Sequence, residues 1–268
     1  MNGRRPQVRS PLKLAKRDLV KVFQDKYGSD STVMGWGPRI RSRFAYFTPD
    51  DYYEATVSRL VTPGCRWLDV GSGRNIFPSN RRLAEVLGRR CGRLVGLDPD
   101  PTIEENDLVH ERVRANIEEY HADDSFELIT LRMVAEHVAD PEGAVAALAR
   151  LTTPGGHVVV YTINRWSPVP IVTYLVPFRF HHLPKRLLWK AQERDTFPVV
   201  YRMNTRRALQ RVFRSHGFAE SEFAYLDDCR TLAVFRLTLI LELSIWRTLR
   251  ALGITYPENC LLGVYRRC

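Results

Sequence analysis

Short apolar runs alternate with segments of helical spacing along most of the chain. Runs at residues 66–70, 94–97, 126–131 and 156–162 have the β-branched and aromatic content of buried strands. Between them lie two segments with helical spacing, residues 80–88 and 141–151. Such an alternation predicts an α/β domain with a mostly parallel sheet. A weaker run at residues 113–117 adds a third strand in chain order.

The second half of the chain interrupts this rhythm twice. Residues 164–200 carry prolines, aromatics and basic residues over a length that is typical of a lid or binding loop. A helix capped by Asn204 or Thr205 then runs to Ser215, and residues 218–226 and 261–266 form closing strands.

The second interruption, residues 231–252, is apolar and predicted to be helical. Arg236, Glu242, Arg247 and Arg250 break it too often for a membrane-spanning helix, which needs about 20 apolar residues. Two interpretations remain: a helix lying in a membrane interface, or an apolar stripe packed on its own domain.

The first part of the chain is rich in arginine and lysine. Residues 16–27 predict a helix, which the run Gly35-Trp36-Gly37-Pro38 breaks. A second helix covers residues 50–60, with Asp50 or Asp51 as its cap. We expect residues 1–50 to form a basic helical arm, packed over the ligand or solvated, and residues 51–268 to form the main domain.

Composition and charge narrow the setting. The chain has 44% hydrophobic and 26% charged residues, so extensive disorder is not expected. Its net charge of +10 fits a nucleic acid, an anionic membrane, an acidic substrate or a solvated face. The five cysteines show no Cys-x-x-Cys spacing, and no apolar segment of a secretory signal precedes Asp18. We therefore expect a cytoplasmic protein, with peripheral membrane contact left open.

The run Asp69-Val70-Gly71-Ser72-Gly73 follows the first strand as a glycine turn. A strand, a glycine turn and a helix bring backbone N–H groups close to a nucleotide-like ligand. The third glycine of a dinucleotide-binding turn is replaced by Ile76, and the Gly-Lys-Ser/Thr of a phosphate-binding loop is absent. Neither of these two ligand classes fits.

This turn is the first of several motifs in a fixed order. The acidic Asp98 ends the second strand, Phe126-Glu127-Leu128 and Glu136-His137-Val138 belong to the fourth strand and its exit, and Pro154-Gly155-Gly156 precedes the fifth strand. Together they resemble the class I S-adenosylmethionine-dependent methyltransferases. The resemblance implies a doubly wound, Rossmann-like seven-stranded sheet, mostly parallel with an antiparallel last strand, and S-adenosylmethionine as the cofactor.

The resemblance also implies the cofactor contacts. Asp98 would accept hydrogen bonds from the ribose hydroxyls, Asp69 would hold the turn near the cofactor's ammonium group, and Asn116 would meet adenine, where the family often has aspartate. The expected cofactor-binding residues are Asp69, Gly71, Ser72, Gly73, Asp98, Pro99, Asn116, Ile117, Leu131 and Arg132.

Methyl transfer mostly requires alignment, and a base is needed only when the acceptor must lose a proton. His137 is the leading candidate base, although Glu136-His137 could instead orient the helix that follows. Its rivals, each also explained as a packing or surface residue, are His181, His182, Tyr161 and Tyr174. Met133 stands where similar enzymes of quinone biosynthesis place a magnesium-binding glutamate, so no metal is expected.

The predicted function is O-methylation of a small or lipid-linked metabolite. The fourth strand lacks the Asp/Asn-Pro-Pro-Tyr type of motif that clamps a flipped base, which makes base N-methylation an unfavourable interpretation. Two alternatives remain: methylation elsewhere on RNA, and a non-catalytic cofactor-binding regulatory or scaffold protein.

Overall fold

The computed structural model describes residues 11–168, 198–230 and 233–268. These residues contain a seven-stranded sheet of order β3-β2-β1-β4-β5-β7-β6. The strands are β1 (Arg66–Val70), β2 (Arg93–Leu97), β3 (Glu111–Val113), β4 (Phe126–Arg132), β5 (Thr152–Ile163), β6 (Phe218–Asp227) and β7 (Glu258–Arg267). The predicted fold class is confirmed.

Strand direction fixes where the functional edge lies. The pairs β1 with β2, β1 with β4, β2 with β3 and β4 with β5 are parallel, while β7 is antiparallel to both β5 and β6. The carboxyl ends of β1, β2 and β4 therefore share one edge. The glycine turn, Asp98 and Arg132 all follow or end these strands at that edge.

Helices cover both faces of the sheet. The helices in the described part of the chain are α1 (Lys16–Tyr27), α2 (Trp36–Phe44), α3 (Pro49–Leu60), α4 (Arg81–Arg90), α5 (Pro141–Leu151), α6 (Arg206–Ser215) and α7 (Arg236–Ala251), with a short 3₁₀ helix at Pro101–Glu105. Of these, α2 and α7 pack on each other in a separate apolar cluster. Trp67 packs into a core that includes α1, α3 and α4, and the next residue, Leu68, packs into a core that includes α5 and α6. Alternating strand side chains thus bury both faces, as a doubly wound domain requires.

Three local predictions were wrong in detail. The run at residues 35–38 does not simply break a helix, because α2 begins at Trp36 and Pro38 sits in its first turn, where no backbone N–H is needed. The cap of α3 is Thr48, whose hydroxyl accepts a hydrogen bond from the Asp51 N–H, rather than Asp50 or Asp51. The third strand, Glu111–Val113, lies earlier than residues 113–117.

The basic N-terminal region contributes to the core. Leu19, Val22 and Phe23 of α1 are buried. The buried ammonium of Lys26 lies 3.0 Å from the Asp51 carboxylate and 2.8 Å from that of Glu54, both on α3. Burial raises the pKa of Glu54 to about 7, although Lys26 opposes this shift. Helix α1 is thus tied to the main domain by apolar packing and by a buried ion pair.

Much of the predicted lid, residues 169–197 with His181, His182 and Tyr174, lies outside the described residues, as do residues 231–232. The rest of the apolar insertion contains α7. In the parts of the chain that are described, no helix has the length and apolarity needed to cross a membrane.

Candidate active site

The glycine turn is tightly packed where β1 ends. The Gly71 N–H donates to the Leu97 carbonyl oxygen at 2.8 Å, which ties the turn to the end of β2. Gly71 has φ +72°, and a Cβ at this position would lie 2.2 Å from Cγ2 of Val134, just after β4. Gly73 has φ +43°, but a Cβ there would have ordinary spacing, 3.8 Å from the Asp98 carboxylate. Both positions need a left-handed backbone, and Gly71 also lacks room for a side chain.

Asp98 closes against this turn. One carboxylate oxygen accepts from the Gly73 N–H at 2.9 Å and the other from the Asp100 N–H at 2.8 Å. Burial raises the pKa of Asp98, while these two backbone hydrogen bonds oppose the rise. Each oxygen keeps a second lone pair, so the fixed carboxylate can still accept hydrogen bonds from ligand hydroxyls.

Asn106 is a structural member of the site that the sequence did not reveal. Its side chain is fully buried, and its amide nitrogen lies 3.0 Å from both the Ser72 hydroxyl oxygen and the Gly73 carbonyl oxygen. Its amide oxygen accepts from the Leu108 N–H. Nothing in the pattern around residue 106 distinguishes it from an ordinary loop asparagine, because its role depends on a contact more than 30 residues away in the chain.

Asp69 is buried at the base of the turn. Its carboxyl accepts from the Thr130 hydroxyl at 2.6 Å, and the Thr130 oxygen also accepts from the Trp67 indole N–H at 2.7 Å. Burial raises the pKa of Asp69 to about 7, against the opposing effect of hydrogen bonds from Thr130 and Ser72. A carboxyl poised in this way would be stabilised in its charged form by a cation bound nearby.

The remaining predicted cofactor residues occupy the same edge of the sheet. Pro99 directly follows Asp98, and Leu131 is buried near the end of β4. Asn116 is exposed in the loop after β3, where its side-chain amide donates to Glu119 at 3.2 Å, and Ile117 beside it is buried. Their contacts with a cofactor stay a prediction.

Arg132 forms an ion pair that the sequence did not indicate. Its guanidinium lies 2.8 Å from one oxygen of Asp50, and the guanidinium of Arg230 lies 2.8 Å from the other. The two arginines lower the pKa of Asp50, although burial, the largest single influence, opposes them. Asp50 thus joins the end of β4 to the segment after β6. The sequence predicted Asp50 only as a possible cap of α3, whereas the structure shows that it bridges two arginines.

His137 lies in the turn that follows β4. Its Nδ1 is 3.3 Å from the carbonyl oxygen of Pro198. A carbonyl oxygen only accepts, so this bond requires the proton on Nδ1 and leaves the lone pair of the neutral ring on Nε2. The neighbouring Glu136 is buried and accepts from the Thr162 hydroxyl at 2.7 Å. Its backbone oxygen accepts from the Val200 N–H, so this turn is joined to the segment near Pro198.

The rival base Tyr161 lies on β5. Its ring is fully buried and stacks on Tyr53 with centroids 5.2 Å apart. Burial raises the pKa of Tyr161 well above its ordinary value. The residue therefore packs in the core and is a poor proton acceptor at neutral pH.

Met133 has a left-handed φ of +53°, and the described residues contain no group of three or more metal-binding side chains.

The chain is similar to known methyltransferases in sequence and in fold. A protein-family model described as a methyltransferase domain matches residues 39–220. The chain belongs to this methyltransferase family. The expectation of a class I S-adenosylmethionine-dependent methyltransferase is confirmed, and with it the expected cofactor.

Curated relatives of this methyltransferase include two proteins called ubiquinone biosynthesis O-methyltransferase. The one from Hahella chejuensis is 35% identical over 117 residues, 40% of this chain and 47% of the relative. The one from Pectobacterium atrosepticum is 36% identical over 111 residues, 38% of this chain and 44% of the relative. The matches span about half the length of these relatives.

A solved structure shows the same fold. A SAM-dependent methyltransferase from Archaeoglobus fulgidus superposes with a TM-score of 0.51 at 15% identity, covering 85% of this chain and 97% of that one. The site is consistent with the family's cofactor, because the turn has no Cβ at Gly71 or Gly73 and Asp98 presents a fixed carboxylate beside it. When bound, S-adenosylmethionine supplies a methyl group already activated by a positive sulfur.

A cavity of about 360 Å³ is lined in part by Arg230, the arginine that pairs with Asp50. It runs between α2 and α7, and its lining is mainly apolar with two arginines. Its lining includes Trp36, Arg41, Arg230, Ala233 and Leu239. Through Arg230 and Asp50 this cavity is connected to Arg132, at the same sheet edge as the glycine turn.

Proposed function

We propose that this methyltransferase moves the methyl group of S-adenosylmethionine to an oxygen of a small or lipid-linked metabolite. The observation that supports S-adenosylmethionine as the methyl donor is the packing of Asp98 against Gly73, which places a fixed carboxylate at the glycine turn. The names of the curated relatives support an oxygen acceptor with an apolar tail.

The cavity between α2 and α7 supports the acceptor half. Trp36, Ala233 and Leu239 offer apolar contact, while Arg230 supplies a cation that is already held by Asp50 and Asp228. A pocket of this character suits an amphipathic acceptor better than a polar one. Peripheral contact with a membrane belongs to the same proposal, since a lipid-linked acceptor resides there.

His137 is proposed as the base that takes the proton of a hydroxyl acceptor. The Pro198 carbonyl would fix its tautomer, which directs the basic lone pair to Nε2. General-base catalysis contributes about 10²- to 10⁴-fold in rate. We therefore expect His137→Gln to lower the rate with a phenolic acceptor by roughly that range while leaving the affinity for S-adenosylhomocysteine unchanged.

The test is transfer of labelled methyl from S-adenosylmethionine to short prenylated phenols, with RNA offered in parallel. His121→Gln changes an exposed histidine elsewhere and serves as the matched control. Labelled phenol ether from the wild type supports the proposal. Label only in RNA, with a rate that falls steeply with salt, would favour the RNA alternative. Cofactor binding without turnover on any acceptor would favour a non-catalytic role.

A further inference from the structure

Helix α7 carries a concentrated apolar surface. Eight of the fourteen large apolar side chains that are exposed among the described residues lie between positions 234 and 254, so the exposure is local rather than scattered. Phe235 is 68% exposed, Leu237 79%, Leu241 56% and Leu252 67%. Single exposed apolar residues are ordinary, but a contiguous group of them marks an interaction surface.

The opposite face of α7 is firmly packed. Leu239, Leu243 and Trp246 are buried, and the Trp246 ring meets Tyr46 edge-on with centroids 5.1 Å apart. The Trp246 indole also donates to Asp227 at the end of β6. The helix is therefore held in one orientation, with its apolar face outward.

The polar groups on the outer face need no water. The Ser244 hydroxyl donates to the Ile240 carbonyl oxygen at 2.7 Å, and the Thr248 hydroxyl donates to the Ser244 carbonyl oxygen at 2.9 Å. Both hydroxyls are thus satisfied within the helix. The face can leave water without losing these hydrogen bonds, which removes the usual cost of burying a hydroxyl.

The exposed charge beside this face has one sign. Arg236, Arg247 and Arg250 are exposed, whereas Glu242, the acidic residue of the helix, is buried and accepts from the Tyr256 hydroxyl at 3.0 Å. With about 1.5 Å of rise per residue, the helix is about 24 Å long, shorter than a hydrocarbon core of about 30 Å. Arg250 lies over the Trp246 ring, on the packed side, whereas Arg236 and Arg247 lie beside the exposed Ile240 by helical spacing. An apolar face with these two arginines along one side complements an anionic lipid surface.

We propose that α7 lies in the interface of an anionic membrane, with Leu237, Leu241 and their apolar neighbours inserted and with Arg236 and Arg247 at the lipid headgroups. The proposal rests on the proposed function for its purpose, since Ala233 and Leu239 also line the acceptor cavity. Docking through α7 would bring that cavity to the surface where a lipid-linked acceptor resides.

Flotation of the full chain with vesicles tests this proposal without requiring turnover. We expect binding to phosphatidylcholine vesicles that contain phosphatidylglycerol, and little binding to phosphatidylcholine alone. Leu241→Glu and, independently, Leu237→Glu should each lower the vesicle partition coefficient, measured over a series of lipid concentrations, at least about tenfold, because burying one leucine is worth that factor or more. Val86→Glu, which places the same charge on a 40% exposed valine of α4, should bind like the wild type.

Two results would overturn the docking proposal. One is equal flotation of wild type, Leu241→Glu and Leu237→Glu. The other is light scattering that shows a wild-type dimer which Leu241→Glu converts to a monomer, with no vesicle binding by either, because a second copy would then cover the face. Calorimetry with S-adenosylhomocysteine on the same samples distinguishes the docking proposal from the proposed function. If the wild type does not bind this ligand, the proposed function fails, and the flotation result still stands as the test of docking.

Discussion

The close contact between Gly71 and Val134 makes Gly71→Ala the most informative change in the turn. The new methyl group would lie 2.2 Å from Val134 Cγ2, and the backbone has φ +72°. A left-handed non-glycine residue costs about 1–2 kcal/mol, and overpacking adds about 1–3 kcal/mol. We expect Gly71→Ala to reduce the free energy of unfolding by about 2–5 kcal/mol, the sum of these two effects.

Gly73 offers a matched control within the same turn. Its φ is also positive, at +43°, but a Cβ there would lie 3.8 Å from the Asp98 carboxylate, which is ordinary contact. Gly73→Ala should therefore cost only the backbone term of about 1–2 kcal/mol. The difference between the two variants isolates the contact with Val134.

A double-mutant cycle with Val134→Ala measures that contact directly. Urea unfolding of wild type, Gly71→Ala, Val134→Ala and the double variant should show a favourable coupling of about 1–3 kcal/mol, because truncating Val134 removes the overlap. S-adenosylhomocysteine affinity should fall in Gly71→Ala and recover in part in the double variant. Equal destabilisation by Gly71→Ala and Gly73→Ala, with no coupling to Val134, would refute this account of the turn.

Three further changes test the buried polar groups. The pKa of Asp69 is about 7 in the folded protein, so the native state binds the extra proton and stability should fall as pH rises from about 4 to about 7. Asp69→Asn should remove up to roughly 4 kcal/mol of that decline, measured by urea unfolding. An unchanged dependence of stability on pH would contradict this expectation. Asn106→Ala should cost about 1–3 kcal/mol and weaken S-adenosylhomocysteine binding, because the turn loses its buried amide donor. Lys26→Met should destabilise the chain by about 3–5 kcal/mol at alkaline pH and by less at acid pH, where Glu54 is protonated; a cost independent of pH would show that the ion pair is not the cause.

The sequence predicted features that are encoded locally. Strands such as Arg66–Val70 and helices such as Pro141–Leu151 can be predicted from periodicity and turn residues, because both signals involve only a few neighbouring residues. The glycine turn and Asp98 followed from the order of motifs, and the parallel sheet then requires them to share one edge.

The sequence did not reveal features that depend on distant contacts. Asn106 reaches back to the turn across more than 30 residues, and Asp50 bridges Arg132 and Arg230 across 82 and 180 residues. No local pattern reports such pairs. Helix α2 differs for another reason: in the sequence, glycine and proline near Trp36 suggest a break, although the first turn of a helix tolerates both.

For helix α7, periodicity predicts a helix but does not predict which of its faces is packed against the domain. The apolar residues of 231–252 allowed either a stripe packed on the domain or an interfacial helix. The structure packs Leu243 and Trp246 against the domain and leaves Leu237 and Leu241 exposed on the opposite face. Only the position of the neighbouring tyrosine and of β6 decides which side faces inward.

The most direct test of the central claim is titration calorimetry of the full chain with S-adenosylhomocysteine, comparing wild type with Asp98→Ala and Asp107→Ala. Asp107 is a control of the same type, an exposed aspartate paired with Arg81 beyond the turn. We predict saturable binding by the wild type, retained in Asp107→Ala and lost or weakened at least about tenfold in Asp98→Ala, which lacks the carboxylate for the ribose hydroxyls. Absence of binding by the wild type, or equal affinity in all three proteins, would contradict the assignment of the cofactor site.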